Sequence, residues 1–206
     1  MVIRDAVGAR PAIDAAWFRE SLDGARACFD AMARDGFCAQ LQRVAEKIAR
    51  RLAAGGTVYW CGNGGSASDA QHLAAELIGR FGRPGRGWPS VSLSADTSVL
   101  TAAGNDFGFE SVFQRQVRAL VRPQDVVAGI STSGASRNVI AAIAEARAKG
   151  ALTIALTGPA GGRLAEAAEL VVRAPGETTS DIQTCHIAIG QLLCEAAIAL
   201  AEGDAP

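Results

Sequence analysis

Only two histidines, His72 and His186, occur among 206 residues, which excludes any site built from several imidazoles of one chain. Aromatic residues make up 5% of the sequence, too few for the stacking platforms that read single-stranded nucleic acid. No charge surplus exists either: 20 Lys+Arg against 21 Asp+Glu leave a net charge of -1, without the electrostatic footprint of a nucleic-acid binder. The five cysteines, Cys28, Cys38, Cys61, Cys185 and Cys194, are odd in number, form no CxxC pair and lie in apolar stretches. That usage predicts reduced, buried thiols and a cytoplasmic compartment. No apolar run reaches the ~18 residues of a membrane span, and Met1 to Asp5 lacks the apolar core of a signal peptide, so no membrane partner is expected.

What the chain does have is apolar content, 49% hydrophobic with 23 glycines, enough for one generous α/β domain. Apolar residues recur at three- and four-residue spacings over Ala12 to Met32 (Phe18, Leu22, Ala25, Phe29) and Phe37 to Ala54 (Leu41, Val44, Ile48, Leu52), predicting two leading helices. Short apolar runs follow at Thr57 to Cys61, Ser90 to Leu93, Asp125 to Ser131, Leu152 to Thr157 and Leu170 to Arg173. Helical patterns lie between them at Ala67 to Arg80, Glu110 to Val121, Ala135 to Lys149 and Gly161 to Ala168, and a last helix spans Thr179 to Glu202. Nearly continuous apolar strands alternating with helices predict a three-layer α/β sandwich around a five-stranded parallel sheet. Residues 1–54 are expected to form a helical extension that packs on the core and enters an oligomer interface, and residues 55–206 the main domain.

Two strand-to-helix turns carry the chemistry. The first, Gly62-Asn63-Gly64-Gly65-Ser66, opens a helix whose N-terminal N–H groups and dipole favour an anion. Its spacing is neither the Walker pattern nor the dinucleotide GxGxxG, and a tight turn needing positive φ would use the same glycines. The second, Ser131-Thr132-Ser133-Gly134-Ala135-Ser136, places four hydroxyls in six residues at a helix start. One serine there would be an ordinary cap; four suit the acceptor oxygens of a phosphate monoester. Both turns follow the C-terminal ends of strands, where open parallel sheets bind ligands.

Together with Asp69-Ala70-Gln71-His72-Leu73-Ala74-Ala75-Glu76-Leu77, Gly104-Asn105-Asp106-Phe107-Gly108-Phe109 and Ile182-Gln183-Thr184-Cys185-His186, these turns make the chain resemble the sugar isomerase (SIS) domains, and among them the phosphoheptose isomerases. The resemblance covers the chain from its first helices to Glu202 and implies a flavodoxin-like sheet and a homotetramer with shared sites. It also implies isomerisation of sedoheptulose 7-phosphate to D-glycero-D-manno-heptose 7-phosphate for cell-surface polysaccharide. Under it, Asn63, Gly64, Gly65, Ser66, Asn105, Asp106, Ser131, Thr132, Ser133, Ser136 and Gln183 hold the substrate. One zinc ion per subunit would sit among His72, Glu76, Gln183 and Gln191, with Glu76 also catalytic.

His72 and Glu76 can be read without the family. Spaced i, i+4, they share one helix face just after the Gly-rich turn, where imidazole and carboxylate can converge on one metal ion or one substrate carbon. Moving a proton between adjacent carbons requires a base, which suits Glu76, while a metal would polarise the oxygens. The sequence departs from the family at Gln191, where the resembling isomerases have a histidine, and at Ser180, where they have an aspartate. A glutamine amide coordinates zinc weakly and carries no titratable proton near neutral pH. On an ideal helix Gln191 lies ~80° from Gln183 and His186 ~60° the other way, so His186 does not replace it. Two functions therefore fit: a sugar phosphate isomerase, or a non-catalytic SIS protein that binds a sugar phosphate or associates with an initiator protein.

Overall fold

The computed structural model describes residues 13–79 and 86–203. Two helices, α1 (Ala15–Met32) and α2 (Asp35–Ala53), precede an alternation of β1 (Val58–Gly62), α3 (Gly65–Ile78), β2 (Ser90–Ser92), α4 (Thr97–Phe107) and, after a 3-10 turn at Phe109–Ser111, α5 (Val112–Leu120). The chain continues through β3 (Val126–Ser131), α6 (Arg137–Ala148), β4 (Leu152–Thr157), α7 (Gly162–Ala167), β5 (Leu170–Arg173) and α8 (Thr179–Glu202). The five strands form one parallel sheet in the order β2-β1-β3-β4-β5. The three-layer α/β sandwich is as expected, and the order is that of the flavodoxin-like doubly wound sheets.

Strand alternation divides the core in two. Val58 and Trp60 of β1, Val126, Ala128 and Ile130 of β3, and Leu152, Ile154 and Leu156 of β4 face α2, α3 and α8. Tyr59, Cys61, Val127 and Ala155 face α5, α6 and α7. On that second face Gly129 lets α6 come close, since a Cβ there would lie 2.7 Å from Val139 Cγ1. Crossovers from β1 and β3 thus leave the sheet on opposite sides, which opens a crevice between their C-terminal ends.

Several expectations need correcting. α4 is absent from the sequence reading: Asp96 caps it by accepting from Val99 N at 3.0 Å, but only Ala103 is buried, so no apolar stripe announces it. The apolar face expected of α1 points outward, with Phe18, Leu22 and Phe29 exposed, and only Cys28 and Met32 buried. Cys38 is exposed at the first turn of α2, unlike the other four thiols. α8, long and apolar enough to cross a membrane by length and composition, packs Ile182, Cys185, Ile189, Leu193 and Ala197 into the core. The helix ends expected at Ala12 and Arg80 lie outside the described residues.

Candidate active site

The two turns meet at the crevice. Asn63 and Asn138 exchange paired amide hydrogen bonds, Asn63 Nδ2 donating to Asn138 Oδ1 at 2.9 Å and Asn138 Nδ2 to Asn63 Oδ1 at 2.8 Å. Asn138 is buried, and the pair ties the first turn of α6 to the end of β1. The sequence reading assigned Asn63 to substrate and missed Asn138; a polar residue inside an apolar helix repeat was the available signal. Ser94 was missed as well, although its Oγ donates to Gly62 O at 3.0 Å and braces the end of β1.

Gly64 caps α3 at φ 56°, a conformation that glycine adopts freely, and no side chain satisfies the helix start. Ser66 N donates to Asn63 O and Ala67 N to Gly64 O, both at 3.0 Å, so the turn itself takes up two of the first N–H groups of α3, contrary to the open cradle expected from the sequence. At the second turn Ser131 Oγ lies 2.9 Å from Ser136 Oγ, while Ala135 N donates to Ser133 Oγ at 3.2 Å. Ser136 precedes α6 without capping it. Gly158 N donates to Thr132 O and Leu164 N to Gly134 O, so β4 and α7 fix the shape of the turn. Asn105 and Asp106 sit exposed at the end of α4, paired with each other at 2.8 Å. The segment after them reaches the Ser-rich turn through the Glu110–Arg137 ion pair, 2.8 Å.

α3 and α8 lie side by side and run parallel. Gln183 rests against Gly65, where an added Cβ would stand 2.9 Å from Gln183 Cδ. Two turns on, Gly190 packs on Leu73, a Cβ there falling 3.0 Å from Leu73 Cγ. Gln191 then faces His72, its amide 3.2 Å from His72 Nε2, and Glu76 Oε1 lies 2.8 Å from the same nitrogen. One chain thus brings His72, Glu76 and Gln191 together, with Glu76 mostly covered and His72 half-exposed. Gln183 stays at the N-terminal end of α3, apart from that cluster. His186 is fully buried, and burial lowers its tendency to protonate. Asp69, half-buried one turn before His72, has a carboxyl pushed up to about 6 by burial, with the attraction of His72 opposing. Asp181, beside Ser180, is committed to capping α8: it accepts from Thr178 Oγ1 at 2.7 Å.

Zinc in catalytic centres takes three ligands from thiolate, imidazole and carboxylate groups. Here His72 and Glu76 are two such donors, and the next group at hand is the neutral amide of Gln191. Among the described residues no three of His, Cys, Asp and Glu gather in one place. Within one chain, and among the described residues, the donor set falls one ligand short of a zinc centre. A separate concavity of about 1120 Å³ between α1 and the start of α8 is lined by Glu20, Glu177 and Asp181 and, among the described residues, by no basic side chain, a lining that does not favour a phosphate.

A doubly wound sheet whose switch point carries a Gly-rich turn, a Ser-rich turn and an acid–imidazole pair defines an α/β protein of the class that binds small ligands at the C-terminal ends of its strands. Residues 23–158 match the family model of the SIS domain. The chain is 51% identical over 166 residues to a phosphoheptose isomerase of Rhodospirillum rubrum, covering 80% of this chain and 88% of that protein. It is 49% identical over 178 residues to one of Aquifex aeolicus, covering 86% and 91%. The solved phosphoheptose isomerase of Neisseria gonorrhoeae superposes with a TM-score of 0.79 at 39% identity, over 90% of this chain and 96% of that one. The chain belongs to the phosphoheptose isomerases of the SIS-domain family.

Proposed function

We propose that the protein is an aldose–ketose isomerase of a phosphosugar, converting sedoheptulose 7-phosphate to D-glycero-D-manno-heptose 7-phosphate in the supply of heptose for cell-surface polysaccharide. The observation that carries this reading is the Glu76 carboxylate 2.8 Å from His72 on the helix that opens at the Gly-rich turn. The phosphate is held by the Ser131, Thr132, Ser133 and Ser136 turn and the start of α6, where hydroxyls and free helix N–H groups converge. Gly64, Gly65, Ser66 and Gln183 bind the sugar along α3, and Asn63 contributes by bracing the turns through Asn138. Asn105 and Asp106 close the far side.

Glu76 takes a proton from C1 of the ketose and returns it to C2, while a proton passes from O1 to O2; the carboxylate ends as it began. His72 orients the carboxylate through the 2.8 Å contact. Zinc, the metal the family implies, would polarise the carbonyl oxygen if His72 and Glu76 held it; with the ligand set one short, no step is routed through it. The active protein is a cytoplasmic homotetramer in this reading. The exposed apolar face of α1 within residues 1–54 supports burial against another copy, and residues 55–206 carry the site. A second reading, binding without turnover, rests on Gln191 alone. Incubation of the purified protein with sedoheptulose 7-phosphate, followed by carbon-13 NMR of the product, separates them: an aldose signal supports the isomerase, and saturable binding without conversion overturns it.

A further inference from the structure

The packing of α8 on α3 fixes which residue of α8 meets His72. Gly190 sits on Leu73, and Cys194 Sγ reaches Leu73 O at 3.8 Å, so whichever side chain occupies position 191 is delivered to His72. In this chain that side chain is an amide, its nitrogen 3.2 Å from His72 Nε2. Nε2 has a single in-plane valence, either a lone pair or an N–H. A carboxylate only accepts, so the pairing with Glu76 Oε1 at 2.8 Å puts the proton on Nε2. The amide nitrogen that faces Nε2 fits the other tautomer, donating to a ring lone pair; with the proton on Nε2 the amide must turn over to present its oxygen, so it can serve either state. Zinc, by contrast, needs the Nε2 lone pair and would gain one imidazole, one carboxylate and an uncharged oxygen, a donor better matched to harder cations.

We propose that Gln191 has turned the His72–Glu76 cluster from a zinc centre into a hydrogen-bonded one, in which the amide positions the His72 ring and zinc binds weakly. The catalytic consequence rests on the isomerase reading above, but the metal and ring readouts do not. Zinc affinity of the purified full-length protein is measured by competition with a chromogenic chelator, beside metal content by mass spectrometry, for the wild type, Gln191→His and Gln191→Glu. Each variant restores a third zinc-type donor, and affinity should rise more than about 100-fold, because even the outer partners of a zinc ligand are worth up to that factor. The wild type should lose its zinc to the chelator. Stoichiometric wild-type zinc that survives chelation overturns the proposal, as does wild-type affinity equal to that of both variants once thermal melting shows them folded.

The positioning role has its own readout, since the chain has only two imidazoles and His186 is buried away from the cluster. In two-bond proton–nitrogen spectra, Gln191→Leu should shift the His72 ring nitrogens and leave those of His186 unmoved. An unchanged His72 signal refutes it. Should turnover be absent in every form while these results hold, the isomerase reading fails and the metal inference stands.

Discussion

Replacing Gly65 by alanine separates the binding role of α3 from its contribution to stability. Gly65 is the first residue of α3 and its φ is not positive, so alanine fits the backbone. Alanine is favoured over glycine in a helix by up to about 1 kcal/mol. The added Cβ, however, would collide with the amide nitrogen of Gln183 and lie 2.9 Å from its Cδ and 3.2 Å from its Oε1. No backbone stands in the way, only the far end of a flexible side chain, so Gln183 rotates out at a cost of roughly 0.5–1.5 kcal/mol. These terms offset each other, and urea denaturation should show a change within about 1 kcal/mol. Loss of one hydrogen bond to a bound sugar is worth about 1–3 kcal/mol. Catalytic efficiency measured from initial rates should therefore fall by roughly 5- to 150-fold. Wild-type efficiency in a normally stable Gly65→Ala protein would refute the placement of Gln183 against the substrate.

Glu76→Gln keeps the shape of the side chain but removes its basicity, and kcat should drop by about 10²–10⁴-fold while inorganic phosphate still binds, as isothermal titration would register. Asp69→Asn addresses the buried carboxyl raised from 3.8 to about 6. Because the folded state favours the protonated form, this contribution to stability is present below pH 3.8 and is lost as pH rises through about 6. A full shift of that size corresponds to roughly 3 kcal/mol, which half-exposure cuts to about 1–2. Asparagine should thus stabilise the protein by about 1 kcal/mol at pH 7.5 and by little at pH 4; urea curves showing no pH-dependent difference would exclude a desolvated Asp69. Gly190→Ala forces Leu73 and α8 apart and should cost about 1–3 kcal/mol in chemical denaturation. Leu22→Asp on the exposed face of α1 should lower the mass seen by light scattering without altering the fold by circular dichroism; an unchanged assembly argues against that face as an interface.

The sheet was readable because each strand alternates two apolar faces, and the structure keeps those strands to within a residue at their ends. Leu41, Val44, Ile48 and Leu52 likewise announced the face that α2 turns to the core. α4 was hidden because a helix that buries little more than Ala103 has no periodic stripe, and Gly104 interrupts what pattern exists. Cys38 and the α1 face show the limit of apolar spacing: it marks a surface that favours burial without saying whether this chain covers it. The pairing of turns through Asn63 and Asn138 needed the sheet order, which adjacent residues do not encode. A helical wheel separated Gln183 from Gln191 by angle alone. The parallel run of α8 along α3 added the dimension that matters, carrying one glutamine to Gly65 and the other to His72.

The central claim, that Glu76 moves the proton of a phosphosugar isomerisation, is tested most directly by isotope exchange. The wild-type protein is incubated with sedoheptulose 7-phosphate in deuterated water, beside Glu76→Gln. The account predicts product aldose carrying deuterium at C2 with the wild type and none with the variant. Equal conversion by both proteins, or no conversion by the wild type with or without added zinc, would contradict it.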